Sequence, residues 1–278
     1  MRLTIQTTSD DGAACELYGL SRDELAERFE GVELLGRWFA YDERGAPVGI
    51  AHATDRADGR VFVTHRLKSD EAYSPLLTAA LGVIDRPVNV TIDANLTDRM
   101  AEVRSLGLQL ELSSLKYDVP FAAALGALRT PRSVRRFDIA SAGEVDADLL
   151  FELDTELRGD VPGNDGWAGN RAWFDDEMRS PEFDPAGYRV AVDSDSGELL
   201  GLCRMWRNPD GPALGLLGAC RQRRSGFVAL ELLRETLVRS SEWGWPTFSV
   251  HTARPGLQRH LRRIDARRSG GFIRFLRP

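Results

Sequence analysis

The chain is 278 residues long, 42% hydrophobic and 28% charged, with a formal net charge of −6. That length is generous for one domain and suits two of ordinary size, and the composition excludes a disordered or membrane-embedded chain. The acidic balance argues against a protein that coats nucleic acid non-specifically.

The three cysteines, Cys15, Cys203 and Cys220, are odd in number, far apart and without metal-ligand spacing. No metal site is expected, and a reducing cytoplasm fits. No apolar run approaches a membrane span, and Met1–Gln6 opens as a strand rather than a signal peptide. Between His251 and Pro278 stand Arg254, Arg259, Arg262, Arg263, Arg267, Arg268, Arg274 and Arg277 against the single acid Asp265, a basic tail on an acidic chain.

In chain order, residues 2–8 read as a strand and Asp11–Glu30 as one helix with Leu17, Leu20, Leu25 and Phe29 on its apolar side. Gly36–Asp42 and Val48–Thr54 form a hairpin pattern around Glu43-Arg44-Gly45, and Arg60–His65 is a third strand. Ser74–Ile84 reads as a helix, Pro87–Asp93 as a strand, Leu96–Leu106 as a helix and Leu108–Val119 as one or two strands. Ala122–Ser133, small residues with one Gly and one Pro, is the expected linker between a domain at 1–124 and a second at 132–278. The second half restarts with a strand at Ser133–Ile139, a helix at Ala142–Leu157, a Gly/Pro/Asp loop and a helix at Arg171–Met178. Strands at Tyr188–Asp193 and Leu199–Trp206 flank a turn, and Thr247–Thr252, a helix through Leu257, Leu261 and Ile264, and the strand Gly271–Leu276 close the chain.

Pro212–Trp245 organises this second half. An apolar strand, Ala213–Ala219, enters a basic turn, Arg221–Gly226, and then a helix with Leu230, Leu233 and Leu237 at apolar spacing. A strand feeding a helix through such a turn aims several backbone N–H groups and the positive helix end at one spot, which suits phosphate. Arg223, Arg224 and Ser225 add donors, and Gly226 has no Cβ to block close approach.

The order strand, R-x-x-G, helix, strand resembles motif A of the GCN5-related N-acetyltransferases (GNAT), whose Q/R-x-x-G-x-G/A loop cradles the pyrophosphate of acetyl-CoA. Arg223 and Gly226 match it, while Val228 stands where the family has Gly or Ala, so its branched side chain is expected to crowd the pyrophosphate. The resemblance extends to the order of elements in both halves, to Gly271-Phe272 after the last helix and to Asp160-Val161-Pro162. It implies an α/β chain of two tandem GNAT-like domains, each a mixed, mostly antiparallel sheet flanked by helices. The first domain looks degenerate, because His65–Ser74, in the place of its phosphate loop, lacks glycine and carries Asp70 and Glu71.

The resemblance further implies acetyl-CoA or another acyl-CoA as donor and the amine of a small molecule as acceptor. The donor would be held by Cys220, Arg221, Arg223, Arg224, Ser225, Gly226, Phe227 and Val228, with backbone amides near Cys220 polarising the thioester. Acyl transfer to an amine also needs a base and an acceptor pocket. Glu152, Asp154, Glu156, Asp160 and Asp165 crowd the region that closes over the acceptor in the family; Asp160 is the first candidate and Glu156 the second. His251 is the third, on the strand face opposite Phe248, Val250 and Thr252. Trp167 and Trp173 are candidates for pocket wall or for core. The family's usual tyrosine in the final helix has no counterpart, since the last tyrosine is Tyr188. Two alternatives keep the fold: aminoacyl transfer from charged tRNA, supported by the basic tail and opposed by the acidic total, or a non-catalytic GNAT-fold protein that binds a metabolite or partner.

Overall fold

The structure, a computed structural model, describes residues 2–29, 34–56, 59–128, 137–164, 166–221 and 226–278. The first half runs β1 (Thr4–Thr7), α1 (Asp11–Tyr18), α2 (Arg22–Arg28), β2 (Leu34–Tyr41), β3 (Pro47–Asp55), β4 (Val61–Leu67), α3 (Tyr73–Val83), β5 (Val88–Asp93), α4 (Thr97–Ser105), β6 (Gln109–Pro120) and α5 (Phe121–Ala127). The second half follows with β7 (Phe137–Ser141), α6 (Ala147–Gly159), α7 (Arg171–Arg179), β8 (Tyr188–Asp193) and β9 (Leu199–Asn208). It continues through β10 (Gly211–Ala219), α8 (Gly226–Ser241), β11 (Thr247–Thr252), α9 (Pro255–Arg263) and β12 (Arg267–Arg277).

Packing divides the chain into two compact units, Met1–Ser113 with Phe272–Pro278, and Ser114–Gly271. Each holds a mixed sheet, antiparallel except at one pair. In the first unit β1 to β5 pair in sequence order and only β4/β5 is parallel. In the second, β7 to β11 do the same and only β10/β11 is parallel. The closing strand of each sheet comes from the other half of the chain. Phe272–Arg277 pairs antiparallel with β5, and Leu115–Pro120 pairs antiparallel with β11. The units therefore depart from the expected contiguous domains in their last strands.

Three expectations about elements need correcting. Asp11–Glu30 is two helices, not one: Gly19 closes α1 in the left-handed region at φ 69°, and Ser21 with Glu24 forms a capping box that starts α2. The expected linker begins as a helix, because Phe121–Ala127 folds as α5 and buries Phe121 and Ala124; residues 129–133 lie outside the described set. Alanine, read as a loop residue there, is the strongest helix former. On α8, Leu230 is 49% exposed, while Val228, Leu232 and Leu237 are buried together with Glu231, Thr236 and Ser240.

Helices cover both faces of each sheet. In the first unit α3 packs Leu76, Leu77, Ala80 and Leu81 against one face, and α1 and α2 pack Ala14, Leu17 and Leu25 against Phe39 and Ile50 on the other. In the second, Leu150, Leu153 and Leu157 of α6 and Phe174 of α7 meet Val190, Leu202 and Leu216. Val228 and Leu232 of α8 meet Ala191, Leu200 and Cys203. Each fully buried leucine of this kind contributes roughly 2 kcal/mol.

Candidate active site

The site of the second unit begins with two strands that part. β10 and β11 pair only at Ala213↔Ser249 and Leu214↔Val250. A register shift between Leu214 and Leu216 places a bulge at Gly215, where a Cβ would lie 2.5 Å from Trp206 Nε1. Beyond it β10 follows β9, from Leu216↔Arg204 to Ala219↔Gly201, while β11 follows β6 through His251↔Lys116 and Thr252↔Leu115. A wedge opens between them, lined by strand edges whose backbone groups have no partner strand among the described residues.

Which amides face the wedge follows from the ladder. The Cys220 N–H donates to the Leu200 carbonyl at 2.9 Å, so Cys220 and Leu200 are a hydrogen-bonded pair. Antiparallel alternation then assigns Gly218 and Leu216 to β9 and turns the N–H groups of Leu217 and Ala219 toward the wedge. Of the backbone amides near Cys220 expected to polarise a carbonyl, that of Cys220 itself is committed to β9, and those of Leu217 and Ala219 face the wedge. The Cys220 side chain is half-buried against the core under α6.

Of the phosphate-loop candidates, Arg223, Arg224 and Ser225 lie outside the described residues. Gly226 opens α8, whose first-turn amides have no intrahelical acceptors. Phe227 packs edge-on to Phe137 with ring centroids 5.8 Å apart. Val228 is 4% exposed and sits in the core against β7, β8 and β9, so its side chain does not crowd a ligand as expected. Arg221 is tied down on both sides. Its backbone N–H donates to Glu156 Oε1 at 2.8 Å, and its guanidinium pairs with Asp160 Oδ1 at 3.1 Å. The Asp160 carbonyl also accepts from Arg254 at 3.3 Å. Glu156, Asp160, Arg221 and Arg254 thus converge where α6 ends, β10 ends and α9 begins.

His251 stands on the face of β11 opposite the buried Phe248, Val250 and Thr252, as alternation predicts. Phe248 and Val250 share a core with Leu237 of α8, and α6 covers the other face of the sheet. His251 therefore lies on the α6 side, three residues before Arg254. Partial burial of its ring, with Lys116 opposite, lowers its pKa, which keeps the imidazole neutral near physiological pH. Glu152, Glu156 and Glu198 line a cleft of about 360 Å³ that reaches Cys220. Asp165 lies outside the described residues.

Asp154 is not a solvated helix charge. It is 3% exposed and accepts from Arg158 Nε at 2.5 Å and Tyr188 Oη at 3.4 Å. Glu177 of α7 binds Arg158 at 2.6 Å and the buried Arg204 at 2.7 Å. Arg158 also stacks on Trp173 at 4.5 Å, and Trp173 meets Trp167 edge-on at 5.5 Å. This network fixes α6 and α7 over β9 and so positions Glu156 and Asp160. In the tail, Arg267 pairs with Asp118 at 2.9 Å and Arg277 donates to the Leu81 carbonyl at 2.6 Å, so part of the basic patch is structural. In the first unit Asp70 pairs with Arg99, and Asp70 and Glu71 form the turn before α3, where a phosphate loop would stand.

No protein-family model matches the sequence, and no curated protein matches it. Solved structures match over almost its full length. A GCN5-related N-acetyltransferase from Sphaerobacter thermophilus is similar at 16% identity and a TM-score of 0.67, covering 99% of this chain and 95% of that one. A tandem GNAT protein from the clavulanic acid biosynthesis pathway is similar at 15% identity and 0.67, covering 99% and 98%. A GCN5-related N-acetyltransferase from Anabaena variabilis is similar at 12% and 0.62, covering 99% and 72%. The chain has the tandem GNAT fold, a fold whose other bearers include acetyltransferases. Among the described residues no helix is long and apolar enough to cross a membrane.

Proposed function

We propose that the protein transfers an acetyl or short acyl group from an acyl-CoA to the amine of a small molecule, at the wedge of the second unit. The observation that supports this most is the parting of β10 from β11 after Leu214, with Arg221 held by Glu156 and Asp160 where β10 ends. The thioester carbonyl lies against the Leu217 and Ala219 amides, which stabilise the oxyanion as the amine nitrogen attacks. The C–N bond forms, the C–S bond breaks, and the proton that the nitrogen sheds as it becomes an amide passes through water to the thiolate. The pyrophosphate meets the α8 N-terminus and Arg223, by the motif-A resemblance.

His251 serves as the base that takes the ammonium proton, being neutral and on the α6 side. Glu156 and Asp160, both engaged with Arg221, hold the start of the phosphate loop and add negative charge that draws in a cationic amine. The test is release of free thiol from acetyl-CoA with a panel of primary amines. His251→Ala is expected to lower kcat about 100-fold with little change in KM for acetyl-CoA. Unchanged kcat would remove His251 from the mechanism, and no turnover with any amine would remove the reaction.

A further inference from the structure

The first unit, lacking a phosphate loop, holds a cleft of its own. It measures about 590 Å³ and opens between the α1–α2 pair and strands β3 and β4. Its construction is local. The left-handed Gly19 and the Ser21 capping box fold α2 back beside α1, which brings Tyr18 and Phe29 together edge-on at 6.0 Å. Phe29 in turn meets the His52 ring edge-on at 5.1 Å. These rings make an aromatic wall held by edge-on contacts.

The polar floor is uncharged and already ordered. His52 Nδ1 bonds the Tyr18 hydroxyl at 3.1 Å and its Nε2 bonds Thr64 Oγ1 at 2.6 Å. His65 Nε2 accepts from Arg99 at 3.2 Å, a geometry available only to the neutral ring, because arginine has no acceptor. Burial, followed by nearby arginines, pushes both histidines down to about 4. With these two imidazoles neutral, the cleft's charge comes from Arg28 and Arg66.

Those two arginines differ from their neighbours. Arg37, behind Phe29, pairs with Asp11 at 2.7 Å, and Arg99, behind His65, pairs with Asp70. Arg28 and Arg66 are exposed at the cleft, and among the described residues no carboxylate lines it and neither arginine has an ion-pair partner. Arg28 instead lies over the Tyr18 ring at 5.1 Å. Two guanidiniums with no carboxylate partner among the described residues, beside an aromatic wall, suit a ligand that is anionic at one end and apolar at the other.

We propose that this cleft is a second ligand site, for a small aryl or alkyl carboxylate whose carboxylate bonds Arg28 and Arg66 and whose body packs on Tyr18 and Phe29. It is independent of acyl transfer in the other unit. The chain has four histidines, so the imidazole signals of His52, His65, His251 and His260 can be followed separately by NMR. Phenylacetate is the probe, with phenethylamine as the matched cation. Phenylacetate should shift the His52 and His65 signals saturably and leave His251 and His260 in place, while phenethylamine moves none of them. The double variant Arg28→Gln/Arg66→Gln should keep the melting midpoint and the His251 and His260 signals of the parent and bind phenylacetate at least about tenfold more weakly. No shift with phenylacetate up to about 10 mM, an equal response to phenethylamine, or undiminished binding by the double variant would each overturn the proposal.

Discussion

Asp154→Ala is expected to destabilise the second unit by about 3 kcal/mol. Asp154 and Arg204 are each 3% exposed, and with Glu177 and Arg158 they form a cluster of two carboxylates and two guanidiniums. Removing one carboxylate leaves a net positive charge in the interior, takes the acceptor from Arg158 Nε and strands the Tyr188 hydroxyl. Breaking such a pair costs roughly 3–5 kcal/mol, and the 14% exposure of the Arg158 side chain lets water reach it, which favours the low end. The charge-balanced double variant Asp154→Leu/Arg204→Met leaves the Arg158–Glu177 pair and should recover most of the loss. The assay is urea unfolding followed by the fluorescence of Trp167, Trp173, Trp206, Trp243 and Trp245, all in this unit. A loss below about 1 kcal/mol for Asp154→Ala, or a double variant as unstable as the summed singles, would refute the reasoning.

Other expectations are as direct. The folded-state pKa of His52 and His65, about 4, lies below the unfolded value near 6.5, so the stability tied to them is complete above about pH 6.5 and is lost as pH falls toward 4. The loss is of order 1–3 kcal/mol per ring, less where solvent relaxes around it, and an NMR titration showing either ring protonating near 6.5 would contradict it. Gly201→Ala places a Cβ 2.5 Å from the Gly218 carbonyl oxygen, a backbone atom that cannot swing aside, and should cost about 2–3 kcal/mol in thermal unfolding. Gly126→Ala in α5 meets nothing within 4 Å and should instead gain about 0.5–1 kcal/mol.

Much of this architecture is legible in the sequence because it is local. Alternation placed Phe248 and Val250 inside and His251 outside, and the hairpin around Glu43-Arg44-Gly45 carried its own turn residues. The break between α1 and α2 was also present, in Gly19 and in Ser21 followed by Glu24, but the leucine spacing on either side masks it. On α8 the leucines alone mislead, since Glu231, Thr236 and Ser240 share the buried stripe and Leu230 does not. Nothing local marks the exchange of closing strands, because β6 and β12 read as strands whichever sheet receives them. The site was half visible. Glu156 and Asp160 do come together, but around Arg221, a contact 61 to 65 residues apart that no short pattern encodes.

The central claim, that the wedge of the second unit holds an acyl-CoA, is tested most directly by calorimetric titration with acetyl-CoA. Saturable binding to a single site per chain is expected, because Asp70 and Glu71 occupy the corresponding place in the first unit. Arg223→Glu should abolish that heat while leaving the ligand-free melting midpoint unchanged. No heat from acetyl-CoA, CoA or a longer acyl-CoA up to about 1 mM, or undiminished binding by Arg223→Glu, would contradict the account.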